Sequence, residues 1–172
     1  ITSVFPEEAQ KLPRLGYFRN IPVEGMIGLK PDLVLASSEA GPPAALEKVR
    51  SLGTRIETIP EAITPDSARE RIQKLGELLN QSTLATGLIE KMEKDLKKAE
   101  ANRAAAQKQE LKALFLYARG SGLLLAAGEE TGAATLFALA GLKNALNGFQ
   151  GMKPASAEAI VLADPDVIVM LK

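Results

Sequence analysis

Residues 24–35 read EGMIGLKPDLVL, and residues 158–169 read EAIVLADPDVIV. The two stretches align without a gap: Glu24 matches Glu158, Pro31 matches Pro165, Asp32 matches Asp166, and three aliphatic residues follow in each copy. Each copy reads as a short helix, a turn before Pro-Asp, and a buried strand. Proline is tolerated at a strand start, where it removes no central ladder bond. Aspartates at such a place are turn and strand-start residues rather than catalytic carboxylates. A unit that recurs at both ends of a chain predicts two related lobes, and a cleft between lobes is a common place for a ligand.

Between the copies the chain alternates strands and helices. Asp32 to Ser37 reads as a short buried strand, and Gly41-Pro42-Pro43 turns the chain into a helix running to about Leu52. Gly53 ends that helix, and Arg55 to Ile59 alternates as a strand. Thr64-Pro65 pairs a capping hydroxyl with proline at the first helical position, opening a helix to about Asn80. Ser82 opens a longer helix to about Gln109, roughly 40 Å at 1.5 Å per residue.

Lys112 to Tyr117 reads as a strand, 119–122 (RGSG) as a turn, and Leu123 to Ala126 as a further short strand. Thr131 to Ala140 is a helix closed by Gly141, Ser156 precedes a short helix to about Ala163, and Val167 to Leu171 is a final apolar strand. The order β-α-β-α-long α-β-α-α-β implies an α/β fold with parallel sheets flanked by helices. The predicted division is a first lobe at 1–81, a long linking helix at 82–109, and a second lobe at 110–172.

Composition narrows the function. Hydrophobic residues make up 46% of the 172, enough for a real core in one domain or two small lobes. Twenty-one basic residues balance 21 acidic ones, so no net field draws the chain to nucleic acid. Cysteine and histidine are both absent, which removes thiolate chemistry, the usual zinc sites and every imidazole base. No run approaches the roughly 20 apolar residues of a membrane span. GEETG at 128–132 lacks the G-K-[ST] ending of a phosphate loop, and no nucleophile elbow is present. Binding is therefore expected rather than catalysis, with a carboxylate-based α/β hydrolase and a structural module built on the long helix as the alternatives.

Four segments carry a resemblance: LPRLGYFRNIPVEGMIGLKPDLVLASSEAGPP at 12–43, ARGSG at 118–122, AAGEETGAATLFALAGLKNAL at 126–146 and GMKPASAEAIVLADPDVIVM at 151–170. Together the chain resembles the substrate-binding proteins of bacterial ABC importers for haem, cobalamin and iron-siderophores, and most closely their haem-binding branch. The resemblance implies a two-lobed periplasmic-binding-protein-like fold whose lobes are joined by one long helix. It also implies extracytoplasmic capture of haem and delivery to an importer permease, with cobalamin or a ferric siderophore as the alternative ligand. The expected location is periplasmic or otherwise extracytoplasmic, compatible with a lipid anchor on a full-length precursor. Relatives extend beyond this chain at both ends, so it reads as a fragment.

On spacing alone, Tyr17 is a loop tyrosine and Arg19 a solvent-facing cation. In the haem-binding branch the tyrosine of a GY-x-R motif binds the ferric iron, and that residue falls on Tyr17, with Arg19 as its arginine. The chemistry is sound: ferric iron favours an anionic phenolate, and a nearby guanidinium stabilises that anion. In an extended segment Tyr17 and Arg19 would point to the same side. Arg119, Ser121 and Lys153 are candidate donors to the haem propionates, and Met26, Met152 and Met170 are candidate haem contacts, Met170 reading more as core. Some relatives add a histidine from the second lobe, which this chain lacks. Glu39 and Glu47 are weak candidates for docking arginines of the permease.

Overall fold

The computed structural model describes residues 5–105, 110–119 and 123–171, and for Arg119 the backbone alone. The chain divides into two compact units, Ile1–Glu61 and Ala62–Lys172.

The first unit opens with a short 3-10 helix, Glu7–Lys11, and an irregular stretch. Helix α1 (Val23–Gly28) leads through Pro31-Asp32 into strand β1 (Leu33–Ser37). Helix α2 (Pro43–Ser51), with Pro43 at its first position as expected, crosses over to strand β2 (Arg55–Ile59). β1 and β2 pair in parallel, Leu33 opposite Arg55 through Ser37 opposite Ile59. The unit's core is Met26, Ala36, Val49 and Ile56, with Val49 fully buried. Burying such an aliphatic side chain is worth about 1.5–3 kcal/mol.

The second unit begins with an antiparallel helix pair. Helix α3 (Pro65–Leu78) starts at Thr64, whose side chain accepts from the Ser67 N–H while the Ser67 hydroxyl accepts from the Thr64 N–H. Helix α4 (Ser82–Ala105) follows after a left-handed Asn80. The two pack so closely that a Cβ on Gly76 would lie 2.4 Å from that of Ala85. Farther along, Arg69 Nε meets Glu93 at 3.0 Å. The end of the expected helix, 106–109, lies outside the described residues.

Strand β3 (Lys112–Arg119) is the hub of a mixed sheet. It pairs antiparallel with β4 (Leu123–Ala127) and parallel with β5 (Lys143–Asn144) and β7 (Val167–Met170), while β4 pairs antiparallel with β6 (Met152–Pro154). The parallel pairings expected are present at β1–β2, β3–β5 and β3–β7, and β4 and β6 add antiparallel ones, since only three residues separate β3 from β4, too few for a parallel crossover. Helix α5 (Gly132–Ala140) is capped by Thr131 and ends at a left-handed Gly141; helix α6 (Ala157–Ala163) is capped by Ser156.

The repeat seen in the sequence is a repeat of backbone. Lys30 (φ 46°) and Asp164 (φ 45°) both turn left-handed immediately before their Pro-Asp, so each helix ends at the same corner and feeds a strand. Asp166 is structural, as expected: its carboxylate accepts from the Lys112 N–H at 2.7 Å, and its own N–H donates to the Lys112 carbonyl at 2.8 Å. The final strand differs from expectation in burial. Ile168 and Met170 are half exposed, because β7 has β3 on one edge and no second strand neighbour among the described residues.

The second core centres on Leu114, Leu116 and Ala126. Leu114 is fully buried, so Leu114→Ala should cost about 2–5 kcal/mol in urea unfolding. Gly128 is crowded by backbone: a Cβ there would lie 2.2 Å from the Phe149 carbonyl oxygen. Gly128→Ala should therefore destabilise by about 1–3 kcal/mol through overpacking.

Candidate functional site

Because β1 and β2 run in parallel, the loops after Ser37 and after Ile59 leave the sheet at one edge. Ligands in α/β folds gather outside the carboxyl ends of strands. A third loop is stitched to this edge. The Gly41 N–H donates to the Phe18 carbonyl and the Ile21 N–H to the Gly41 carbonyl, each at 3.0 Å. Residues 17–20 close a turn, with the Asn20 N–H on the Tyr17 carbonyl at 2.9 Å. Gly16 enters that turn at φ 100°, a conformation that penalises any side chain.

At Tyr17 and Arg19 the chain is a turn, so the same-side placement that an extended segment would give does not apply. The two are joined through the residue between them. The Tyr17 and Phe18 rings pack with centroids 4.7 Å apart, tilted by 58°. The Arg19 guanidinium carbon lies 5.4 Å from the Phe18 centroid, within cation–π range. Arg19 Nη2 also hydrogen-bonds Glu39 Oε2 in an ion pair. The Arg19 pKa is raised above its ordinary value, first by this hydrogen bond, then by the charges of Glu39, Tyr17 and Glu61, against a smaller opposing effect of desolvation. On the far side of the loop the Ser38 hydroxyl donates to Glu61 Oε1 at 3.1 Å.

Tyr17 is 56% exposed and Phe18 42%. Below them lies an apolar hollow of about 210 Å³, lined by Leu15, Ile21, Met26, Val34 and Ala40 among others. Pockets that enclose drug-sized ligands run to roughly 300–1,000 Å³, so a large planar ligand would lie on this face rather than inside it. Met26 is largely buried and forms part of the floor of that hollow.

The structure thus brings together Tyr17, Arg19 and Glu39. Glu47 stands apart on α2, ion-paired with Arg50 one turn along. In the second unit Arg119 ends β3 opposite Leu123, and Lys153 lies on β6 opposite Ala126, about 10 Å along the strands at 3.4 Å per residue. Lys153 Nζ sits 5.3 Å from the Phe149 ring centroid. Ser121 lies outside the described residues. Met152 and Met170 are partly exposed, so Met170 is not core among the described residues. Sequence reasoning passed over Phe18; its place between the two motif residues was the available signal.

A larger groove of about 370 Å³ runs along α3, α4 and α5, with Arg69, Glu93, Arg103 and Leu139 on its walls. Its arginines are committed to packing. Arg69 pairs with Asp66 and Glu93, and Arg103 donates to the Ala138 carbonyl at 3.2 Å. Among the described residues no cluster of three or more acidic side chains is arranged to hold a metal ion, and no helix is long and apolar enough to cross a membrane.

The α/β units, the parallel crossover and the loop site at its carboxyl edge define a two-lobed binding-protein fold. The chain belongs to the periplasmic binding protein family, whose profile matches residues 2–172. Among solved structures it is similar to the periplasmic heme-binding protein BhuT in complex with two hemes. The two share 34% identity at a TM-score of 0.88, covering 97% of this chain and 63% of that one. Among curated proteins it is 29% identical over 167 residues to YvrC of Bacillus subtilis, an uncharacterized ABC transporter substrate-binding lipoprotein, covering 96% of this chain and 53% of that protein. A shorter stretch of 54 residues, 31% of this chain and 20% of the other, is 41% identical to the vitamin B12-binding protein of Vibrio vulnificus. The chain therefore spans between half and two thirds of the length of the relatives it matches end to end.

The site makes a prediction independent of any ligand. Tyr17 is more than half exposed, so Tyr17→Phe should change unfolding free energy by less than about 0.5 kcal/mol in a urea melt. Loss of ligand binding in that variant then reports on the phenol and not on the fold.

Proposed function

We propose that this chain is the haem-binding part of an extracytoplasmic substrate-binding protein that hands haem to an ABC-type importer. The observation that carries the reading is the exposed Tyr17 phenol, seated on Phe18 beside the anchored Arg19 at the carboxyl edge of a parallel strand pair. Likeness to a heme-binding protein over nearly the whole chain supports it.

In this reading Tyr17 gives its phenolate oxygen to the ferric iron, a recognised axial ligand type. Arg19 supplies a fixed positive charge on the same turn, held over the Phe18 ring and by Glu39. The porphyrin plate lies over the exposed aromatic and aliphatic face of the first unit, and Arg119, Ser121 and Lys153 are the sequence-based candidates for donors to its propionates. The proposed lobes keep the division read from the sequence, 1–81 and 110–172 joined by 82–109, with residues 62–81 packing on the linking helix as part of the second compact unit. Of the two candidate docking carboxylates, Glu47 is the better one, since its partner is a neighbour on its own exposed helix turn and Glu39 is occupied by Arg19. No step is catalytic; the chemistry is capture and release.

A corrinoid ligand is the second reading, favoured by the stretch similar to a vitamin B12-binding protein. Absorbance titration separates the two. Ferric haem should bind stoichiometrically with a high-spin tyrosinate spectrum, and Tyr17→Phe should lose that spectrum and bind at least ~100-fold more weakly, the scale of losing a charged ligand interaction of about 3 kcal/mol. Saturable binding of cyanocobalamin, unaffected by Tyr17→Phe, with none of haem, would establish the corrinoid reading instead.

A further inference from the structure

We propose that Glu39 is the positioning residue of this site: its carboxylate, acting with the Phe18 ring, holds the Arg19 guanidinium where the Tyr17 oxygen needs it. The proposal rests on the reading of Tyr17 as the haem ligand.

Arginine is a poor fixed charge when left alone. Its long side chain has many rotamers to lose, and the Arg19 side chain is 53% exposed. Three contacts restrict it. The backbone turn fixes where the side chain starts, through the Tyr17–Asn20 hydrogen bond. The Phe18 ring offers its face to the guanidinium. Glu39 takes Nη2 and so sets the rotation of the planar group. A guanidinium has five N–H donors, so holding one nitrogen leaves others to face the ligand.

Glu39 is itself held in place. Its loop is bound to the Tyr17 loop by the two backbone hydrogen bonds between Phe18, Ile21 and Gly41. On the opposite side Ser38 is tied to Glu61. The ion pair therefore forms between loops already joined, and no loop closure is needed to make it. Glu47 offers the contrast: its arginine lies on the same helix, and that pair orders nothing beyond the helix surface. Exposed ion pairs contribute little to stability, so the expected effect of Glu39 is on the ligand and not on the melt.

The test is a double-mutant cycle on the full-length protein, read by release of ferric haem to an excess of a haem scavenger and by the tyrosinate absorption bands. Glu39→Ala should speed release about 3–10-fold and shift the bands, with an unfolding midpoint close to wild type. Arg19→Ala should speed release at least as much. The double variant should release no faster than Arg19→Ala alone, because Glu39 acts only through Arg19. Glu39→Gln, which keeps an acceptor at the same place, should fall between wild type and Glu39→Ala, and it carries the cycle if the alanine variant does not fold. Unchanged release in both Glu39 variants, or an added effect of equal size in the Arg19→Ala background, overturns the positioning role while leaving the Tyr17 site standing. A wild-type protein that binds no haem, or a Tyr17→Phe variant that releases it at the wild-type rate, overturns the site reading and the positioning role with it.

Discussion

Both units depend on one constraint, the corner that converts a helix into a strand. A residue that precedes proline is driven out of the right-handed helical region by the proline ring. Lys30 and Asp164 meet that restriction in the left-handed region, although neither is glycine, and each ends its helix there. The Pro-Asp that follows delivers the chain into β1 or β7 with its aliphatic residues in register with a parallel neighbour. In the second unit the corner is also pinned, since Asp166 holds the start of β3 through both backbone and side chain.

The candidate site is a product of the same geometry in the first unit. Parallel strands discharge their loops at one edge, so residues after β1 and β2 gather there without any pairing of their own. That leaves free carbonyls and N–H groups, and the Tyr17 loop uses them. The result is an exposed phenol on loops tied by backbone hydrogen bonds, with apolar side chains beneath. It is this surface that the proposed function assigns to a flat, mostly apolar ligand.

The helical part of the second unit shows a different economy. Glycine at position 76 lets α3 and α4 approach until Ala85 fills the gap, and Arg103 lies under Gly141 at the end of α5. These are close contacts made by small residues and by the aliphatic stems of charged ones. Polar groups along the helices are engaged with each other, as in the Arg69 links to Asp66 and Glu93, which is why the long groove there reads as packing.

How much of this was legible without coordinates follows from the range of the interactions. Elements set by neighbours within one turn were readable: Thr64-Pro65 starting α3, Thr131 and Gly141 bounding α5, Ser156 starting α6, and the repeated Pro-Asp corner. Tyr17 and Arg19 were legible only as a motif, through resemblance. The tertiary structure decided what depends on residues far apart in the chain. It turned β4 antiparallel, left β7 with one strand neighbour among the described residues, and folded the GYFR stretch into a turn that sets Phe18 between Tyr17 and Arg19. It also joined Arg19 to Glu39, twenty positions later in the chain. Capping groups and prolines act through bonds a few residues long, so sequence alone fixes them; an ion pair between two loops exists only once the sheet has brought the loops together.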